Sequence, residues 1–581
     1  MKRKNKNILS IIVLIILCIS TVVTGYLYIN NSNSTPKTQN ITGMQDGNNE
    51  NQPPEKPSGN NTTNSSESDN DSSQNNSSSI EKNDDNMQTP PEIPSENNGQ
   101  QNGNNNYNNT VYKVIFGVEC LLISMVIMYL VMSKFNKKNI KETFKNNDKK
   151  VIYFLSIIIM TTVLMLIVNK TTANLVDKSN NNENLITYKS SNEIAESTTK
   201  DSGEYTSTKN DENALSVSGN INTNLSNINV SKAGDSDGGD NTSFYGTNSA
   251  VIAKSKATLT LDNIIVKTNA TGANGVFCYG GSATTNNSSS DGTTINISNS
   301  KITTTKDNSG GIMTTGGGVM NAKNLTIETS GTSSAAIRTD RGGGTVNVEK
   351  GTYKTTGQGS PAIYSTADVT VKNASLTATS SEGVVIEGKN KVTLNNVKLT
   401  DTNNKLNGKS TTYKNIFLYQ SMSGDATSGV SEFTSKDSTI ITNKGDTIYV
   451  TNTKSKITLT NNKITNNDKT GNFLRVQKDS WGTSGSNGGD VSLVLSNQKI
   501  NGNIVVDSIS TLDMSMSSTS YYEGSINNDN NAKEVKLSLD KSSKIKLTGD
   551  SYITSLDNKD STNSNIDFNG YKLYVNGNAI N

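Results

Sequence analysis

Apolar residues near the N-terminus of this 581-residue chain form three nearly unbroken runs. The runs extend from Ile8 to Ile29, from Val114 to Met132 and from Val151 to Val168. Each is about as long as a helix that crosses a ~30 Å hydrocarbon core, the third being near the lower limit. The pattern therefore predicts three transmembrane helices before residue 169.

Charged residues beside these runs predict their orientation. Four basic residues precede the first run, and the connection 134–150 has seven lysines against two acidic residues. The connection 31–110 has three lysines and eleven acidic residues. Because basic flanking segments stay in the cytoplasm, we expect the N-terminus and 134–150 inside, with 31–110 and the chain after 169 outside. The prediction is a multi-pass cell-membrane protein with an extracellular C-terminal domain, the alternative being a first run that is cleaved as a signal peptide.

Two polar segments separate these helices from each other and from the rest of the chain. Residues 31–110 hold seven of the eight prolines, mixed with Asn, Ser, Gly and acidic residues. Such a segment has too little apolar surface to offset chain entropy, which predicts a disordered extracellular acidic loop. The predicted order is a helix or signal anchor in 1–30, the loop 31–110, a helix in 111–133, a basic cytoplasmic loop in 134–150, a helix in 151–168, a polar spacer in 169–214 and an ectodomain in 215–581.

From about residue 215 the apolar positions become short, alternating and repeated. One recurring unit has two apolar residues around a polar one and then a polar turn, as in Leu-Thr-Leu-Asp-Asn at 259–263. Most steps between successive units are close to 25 residues, and we interpret longer steps as inserted loops. Further copies begin at Ile295, Val346, Val369, Val392 and Ile457, and two weaker copies have their second apolar position at Ala322 and Phe433.

A second column of apolar residues lies between these units and has the same base period. Two columns with one period, β-branched residues, Gly/Asn turns and almost no proline predict a solenoid whose short strands stack in register. Stacked Asn and Thr side chains can continue the hydrogen-bond ladder at the turns. The residues that follow the first apolar position of this column are Ile252, Phe277, Met313, Arg338, Tyr364, Ile386, Leu418, Tyr449 and Arg475.

The repeats, together with the segments 333–345 and 360–368, resemble right-handed parallel β-helix proteins of the pectin-lyase-like fold. The resemblance covers roughly 215–581 and is closest to membrane-anchored or secreted surface proteins of low-GC Gram-positive bacteria. It implies an all-β solenoid, specifically a right-handed parallel β-helix ectodomain, with an adhesin-like or carbohydrate-binding role. Because the same fold also hosts lyases and hydrolases, the resemblance does not select among these functions.

Composition removes several classes of chemistry. The chain has no histidine, which excludes a Ser-His-Asp triad, an imidazole base and His-ligated metal sites. Its three cysteines do not make a disulfide framework, since Cys18 and Cys120 lie within apolar runs and Cys278 stands alone. A net charge of +2 without a basic patch gives no reason to expect a nucleic-acid partner.

The segment Arg338-Thr-Asp340-Arg341 is the one candidate for lyase chemistry. Pectate-lyase-like proteins bind Ca²⁺ through several carboxylates and use Arg or Lys as the base, and this chain has only four arginines. Neighbouring coils place no second carboxylate beside Asp340, so calcium is poorly supported and no cofactor is expected. The segment is therefore catalytic, ligand-binding or a structural Arg–Asp pair at a coil corner, and we do not expect an enzyme.

If the second column faces outward, it presents aromatic residues and arginines along the solenoid. Sugars stack on aromatic faces and bind arginine, so an extracellular polysaccharide or cell-wall glycan is the expected partner. A shift of one residue would instead bury the column in the core, although Arg338 and Arg475 argue against that. We predict a non-catalytic adhesin or polysaccharide-binding protein, the alternatives being a polysaccharide lyase and a structural or protein-binding rod. The candidate ligand-binding residues are Phe277, Arg338, Asp340, Arg341, Tyr364, Tyr449, Arg475 and Trp481.

Overall fold

The computed structural model of the protein describes residues 186–236, 239–282, 290–408 and 410–581. The three apolar runs, the acidic loop and the basic connection between the second and third runs lie outside these residues. Their predicted structure and orientation therefore stay predictions. In the described part of the chain, no helix combines the length and the apolar character needed to cross a bilayer.

The described residues form a parallel β-solenoid, as the repeat predicts. Successive strands of one sheet pair in register from coil to coil, so that Val251 lies beside Val276 and Ile312 beside Ile337. The first sheet contains β1 Glu193–Ile194, β3 Leu215–Ser218, β5 Val251–Lys254, β8 Val276–Tyr279, β11 Ile312–Thr315, β13 Ile337–Thr339, β15 Ile363–Ser365, β18 Val384–Glu387, β21 Lys414–Tyr419, β24 Asp446–Thr451, β27 Leu474–Val476 and β30 Ile504–Val506.

A second, larger sheet bends around the other sides of the solenoid. Its long strands span the bend and pair with two shorter strands of the next coil, as β4 does with β6 and β7. Its strands are β2 Thr198–Ser207, β4 Asn222–Lys232, β6 Thr258–Asp262, β7 Ile265–Thr268, β9 Thr294–Ser298, β10 Lys301–Thr304, β12 Gly318–Thr329, β14 Gly344–Thr355, β16 Asp368–Lys372, β17 Ser375–Ala378, β19 Lys391–Asn395, β20 Lys398–Asp401, β22 Val430–Lys436, β23 Thr439–Thr442, β25 Thr453–Thr460, β26 Lys463–Asn466, β28 Gly489–Ser496, β31 Thr511–Ser517, β33 Glu534–Leu539 and β36 Ser555–Asn558.

Two small sheets complete the C-terminal coils. An antiparallel hairpin ends the solenoid, with Asn576 and Gly577 at its turn, both at positive φ as a type I′ turn requires. The small sheets contain β29 Lys499–Asn501, β32 Tyr521–Gly524, β34 Lys544–Leu547 and β37 Ile566–Asp567 in one, and β35 Ser551–Ile553, β38 Leu573–Val575 and β39 Asn578–Ala579 in the other.

The bend of the larger sheet is the polar turn that ends the first repeat unit. The Asn there adopts a left-handed conformation, which Asn tolerates better than other non-glycine residues, for example φ 53° at Asn263. Side-chain amides then bond from coil to coil, from Asn324 to Asn299 at 2.9 Å and from Asn396 to Asn373 at 2.7 Å. The predicted Asn ladder is therefore present at this bend.

One continuous apolar core fills the solenoid and is built from the inward residues of all sheets. Two details of the repeat are corrected. Phe433 pairs with Val392 rather than continuing the column of Leu394, which pairs with Ser435. Strand pairing also begins at Glu193 and not at 215, so part of the predicted spacer belongs to the first coil.

Candidate functional site

The first sheet, which runs from β1 to β30, has an outer face that does not contact the main core. Val251 and Ala253 point into that core, whereas Ile252 packs in a separate cluster with Phe277 and Met313. The predicted second column thus faces away from the core. We call the following residues, which pair in this order from coil to coil, the outer column: Ile252, Phe277, Met313, Arg338, Tyr364, Val385, Phe417, Tyr449 and Arg475.

Two members of the predicted column are wrong by one residue. Ile386 and Leu418 point into the main core, and the outer positions belong to Val385 and Phe417. The expectation of an exposed stripe is also corrected, since most of the outer column is buried. The repeat predicts on which face of the sheet these residues lie. It does not predict which segments of the chain cover that face.

Three segments cover the outer column. The first, 239–249, contains a single π-helical turn, Asn241–Tyr245, and its Gly246 lies against Phe277. A Cβ atom at Gly246 would lie 2.6 Å from the Phe277 ring, so this close approach requires glycine. The other two covering segments are 420–428 and 479–487. Phe277, a predicted ligand-binding residue, is consequently sealed from solvent.

Arg338 and Asp340 form a buried ion pair under the first covering segment. The Nη2 of Arg338 lies 3.3 Å from the Asp340 carboxylate, and the two side chains are 2% and 0% exposed. Arg338 also donates to the hydroxyl of Ser243 at 3.1 Å and to the carbonyl of Ser333 at 3.3 Å. The pair holds the 239–249 segment on the sheet, a geometry that fits the structural alternative for these two residues.

Arg341 connects two covering segments at the surface. Its Nε donates to Asp425 at 2.8 Å, its guanidinium lies 4.1 Å from the centroid of the Phe244 ring, and about a third of the side chain is exposed. The turn that follows is glycine because of close packing, since a Cβ at Gly342 would lie 2.0 Å from the Ser282 carbonyl oxygen. Arg341 therefore joins 239–249 to 420–428.

A pocket of about 90 Å³ lies over the middle of the outer column. Gly359, Tyr364 and Asn407 are only partly buried and form its mouth, while the rest of its lining is buried. By the measure in which one water needs about 10–15 Å³, the pocket has room for roughly six to nine waters. The aromatic part of its lining consists of Tyr364, Phe417, Tyr419 and Trp481, and the polar part of Ser333, Arg338, Glu382, Asn407 and Ser410.

Two polar atoms of the pocket lining have no hydrogen-bond partner among the described residues. They are the hydroxyl of Ser333, a side chain only 7% exposed, and the side-chain carbonyl oxygen of Asn407. Buried polar atoms are nearly always paired, because an unpaired one costs about 1–3 kcal/mol. Both atoms line the same pocket, which has room for water or a ligand to complete their hydrogen bonding.

Glu387 lies beneath two of the pocket aromatics and orients them. It accepts hydrogen bonds from the hydroxyls of Tyr364, Tyr419 and Ser421, the Tyr419 bond being 3.0 Å. Burial raises the pKa of this carboxyl above the usual glutamate value, and the hydrogen bond from Ser421 opposes the shift. Because Ser421 belongs to 420–428, Glu387 also fastens that covering segment to the sheet.

A row of alternating charges lies beside the pocket. Glu382, Lys414 and Asp446 occupy equivalent positions in three successive coils, and the Nζ of Lys414 is 3.7 Å from the Glu382 carboxylate. Lys414 is fully buried, with its Nζ 4.3 Å from the Phe417 ring centroid and 5.7 Å from that of Trp481. Burial lowers the pKa of Lys414, while the charge of Glu382 opposes the shift.

The predicted residues Tyr449, Arg475 and Trp481 lie at the C-terminal side of the pocket. Tyr449 is buried and donates to Asp479 at 2.7 Å, and Arg475 donates to the Asp446 carboxylate. Trp481 is also buried, with its ring centroid 5.2 Å from that of Phe417 and 5.4 Å from that of Tyr419. Trp481 thus belongs to the pocket wall, whereas Tyr449 and Arg475 support it.

The structure brings Arg338, Tyr364 and Trp481 together in the pocket, although they are far apart in sequence. Sequence reasoning missed Glu382, Glu387, Asn407, Lys414 and Tyr419. One signal was available for the charge row, because in three successive coils the residue two positions before the inward apolar residue is charged, with alternating sign. No comparable signal distinguished Asn407, which belongs to an inserted loop.

No cluster of three or more acidic or cysteine side chains suited to a metal ion exists within the described ranges. The Asp340 carboxylate is already paired with the Arg338 guanidinium. Comparison with protein-family models, with curated proteins and with solved structures finds no match for this chain.

Proposed function

We propose that the protein is a non-catalytic, glycan-binding surface protein, and that the pocket over the outer column holds one sugar unit of the glycan. The observation that carries this proposal is the pairing of an aromatic wall with the unsatisfied Ser333 hydroxyl and Asn407 carbonyl oxygen. A sugar ring has an apolar C–H face and a rim of hydroxyls, which complement such a lining.

The pocket changes the way in which a polysaccharide would be recognised. A continuous exposed stripe would bind a long chain along the solenoid, but the buried outer column offers no such platform. A compact pocket with its mouth at Gly359, Tyr364 and Asn407 suits a single residue that projects from a chain. The glycan would then be held at one point.

The arrangement of the whole chain completes the proposal. Three transmembrane helices and an exported solenoid, which we propose to be right-handed, would place this pocket outside the cell. The coil direction is supported by the strong preference for right-handed connections between parallel strands of one sheet. The protein would then be an adhesin or a carbohydrate-binding element of the cell envelope.

The proposal is tested with the full-length chain in detergent micelles on a glycan and polysaccharide array, with and without Ca²⁺. We expect selective binding without a Ca²⁺ requirement, and roughly 2–10-fold weaker binding by Ser333→Ala, since one hydrogen bond is worth about 0.5–1.5 kcal/mol. Ser455→Ala is the matched control, because Ser455 also has a buried hydroxyl without a partner among the described residues but lies away from the pocket lining.

Other outcomes point to the alternative functions. New reducing ends or unsaturated uronates, abolished by Arg338→Ala with Asp340→Ala, would identify a lyase. Silence of the folded protein on every glycan would contradict the proposal and favour a structural or protein-binding rod. Binding that Ser333→Ala and Ser455→Ala leave equally strong would place the glycan outside the pocket.

A further inference from the structure

The charged residues around the pocket bear on whether it accepts a neutral or an acidic sugar. This inference rests on the proposed glycan-binding function and concerns the class of residue that the pocket accepts. Among the described lining residues, Arg338 and Glu382 are the charged ones. Each already has a buried partner of opposite sign, Asp340 at 3.3 Å for Arg338 and Lys414 at 3.7 Å for Glu382.

The positive charge of Arg338 is already balanced by a buried carboxylate. Its guanidinium donates to Asp340, to the Ser333 carbonyl and to the Ser243 hydroxyl, which uses three of its five N–H donors. A ligand carboxylate at Arg338 would therefore share one cation with Asp340. Two carboxylates in a buried space would then be compensated by a single positive charge, which is unfavourable.

The rest of the lining also disfavours a negative ligand. The Glu382 carboxylate faces the pocket, and the Glu387 carboxyl lies directly behind Tyr364 and Tyr419. A carboxylate among these groups would meet like charge in a poorly solvated space, where such interactions are stronger than in water. Arg341 is paired with Asp425 and is therefore not a free cation for an acidic ligand.

The two unpaired polar atoms of the pocket favour a ligand whose hydroxyl groups can donate hydrogen bonds. The Asn407 carbonyl oxygen accepts hydrogen bonds only, and the Glu382 carboxylate accepts as well. The Ser333 hydroxyl can accept or donate. Sugar hydroxyls supply both roles without bringing charge, whereas a uronate would place an acceptor opposite acceptors.

We infer that the pocket accepts an uncharged sugar residue at a chain end or branch, and discriminates against uronic acids. The volume of about 90 Å³ suits one ring, and its aromatic wall covers one face of that ring. The inference combines pocket size, the two internal ion pairs and the two unsatisfied polar atoms.

The test uses the full-length protein in detergent and oligosaccharides of one length that end in glucose, galactose, mannose or N-acetylglucosamine. The first three each have a counterpart that ends in the matching uronic acid. We expect one or more neutral ends to bind, at least about tenfold more tightly than the uronate counterpart, with the binding weakened by Ser333→Ala and not by Ser455→Ala. The variant Glu382→Gln should reduce this preference for neutral over uronate ends, because it removes the negative charge that lines the pocket and pairs with Lys414.

The possible negative results distinguish a failure of the neutral-sugar inference from a failure of the proposed glycan-binding function. Uronate ends that bind as well as neutral ends, with the same dependence on Ser333, would overturn the inference and keep glycan binding at the pocket. Binding that is indifferent to Ser333→Ala would overturn the inference and place the glycan elsewhere on the protein. Absence of binding to every probe and to the polysaccharide array would overturn the proposed function and the inference together.

Discussion

Two sections of the same outer column differ in what their covering loops enclose. In the N-terminal section, Ile252, Phe277 and Met313 are fully buried in an apolar cluster beneath 239–249. In the middle section, between Arg338 and Tyr449, the covering loops leave a pocket, two buried ion pairs and unsatisfied polar atoms. Both sections have the same strand register and face the same side.

The difference shows that the same strand repeat can carry a closed apolar cluster in one section and a pocket in another. Apolar residues at outer positions allow a loop to close over them completely, which makes a second core outside the first. Charged and aromatic residues at the same positions pair with residues of the covering segments, and the segments there leave a pocket open. The N-terminal section is thus expected to contribute stability and the middle section to contribute recognition.

The largest expected effect tests the second core. Phe277→Ala should destabilise the protein by about 3–5 kcal/mol, because it removes a fully buried aromatic ring and leaves a cavity. The urea unfolding midpoint of the full chain measures this effect, and the exposed Ile265→Ala is the control that should stay near the unmodified protein. Loss of glycan binding in a folded Phe277→Ala protein would contradict the division between the two sections.

A somewhat smaller effect tests the buried ion pair of the middle section. Asp340→Asn should cost about 3 kcal/mol, because it leaves the Arg338 guanidinium buried without a carboxylate. The double variant Arg338→Met with Asp340→Asn should recover part of that loss. Unfolding midpoints of the two single variants and the double variant provide the double-mutant cycle. Additive losses would show that the two side chains are not coupled.

A change of pH should alter the stability of the middle section, which contains Glu387, and not that of the N-terminal section. Its pKa is raised in the folded state, so its contribution to stability is fully present below the unfolded pKa and is lost as the pH rises through the folded value. The stability of the unmodified protein relative to Glu387→Gln should therefore fall as the pH rises above about 4.5. Hydrogen exchange, corrected for intrinsic rates, should show this difference in 384–387 and 416–428 and not in 276–279.

The smallest expected change in stability belongs to Ser333→Ala. Removal of a buried hydroxyl without a partner should leave the unfolding free energy within about 0.5–1 kcal/mol of the unmodified protein, or raise it. Ser455→Ala should behave in the same way, so the two serines would differ only in glycan binding. A large loss of stability in Ser333→Ala alone would mean that its hydroxyl has a structural partner.

Much of the fold could be predicted from the repeat. Parallel strands stacked in register require apolar residues at a constant period, and the Asn at the bend follows from its tolerance of the left-handed region. The longer steps also located insertions that form covering segments, as between Ile416 and Ile448. Register errors arose at Val385 and Phe417, where consecutive apolar residues fit either face, and at Phe433, where the second inward position of the unit is the polar Ser435.

The candidate site was less predictable, because its residues come from many coils and from inserted loops. Arg338, Tyr364 and Trp481 stood out by residue type, but their burial and their convergence in one pocket did not follow from the repeat. Glu387 and Asn407 have no distinctive sequence context. Their roles depend on hydrogen bonds to residues that lie in other coils or loops, which no local pattern records.

The sequence by itself determined that the chain after about residue 215 coils into parallel strands, because a period near 25 with alternating apolar residues buries its surface only by stacking. It also placed most residues of the outer column in one column, although it left open whether that column faces outward. Only the tertiary structure decided which of them are sealed, paired or left beside a pocket. The physical reason is that burial and charge compensation at the outer column depend on where the inserted loops fold back, and on contacts between residues far apart in the chain.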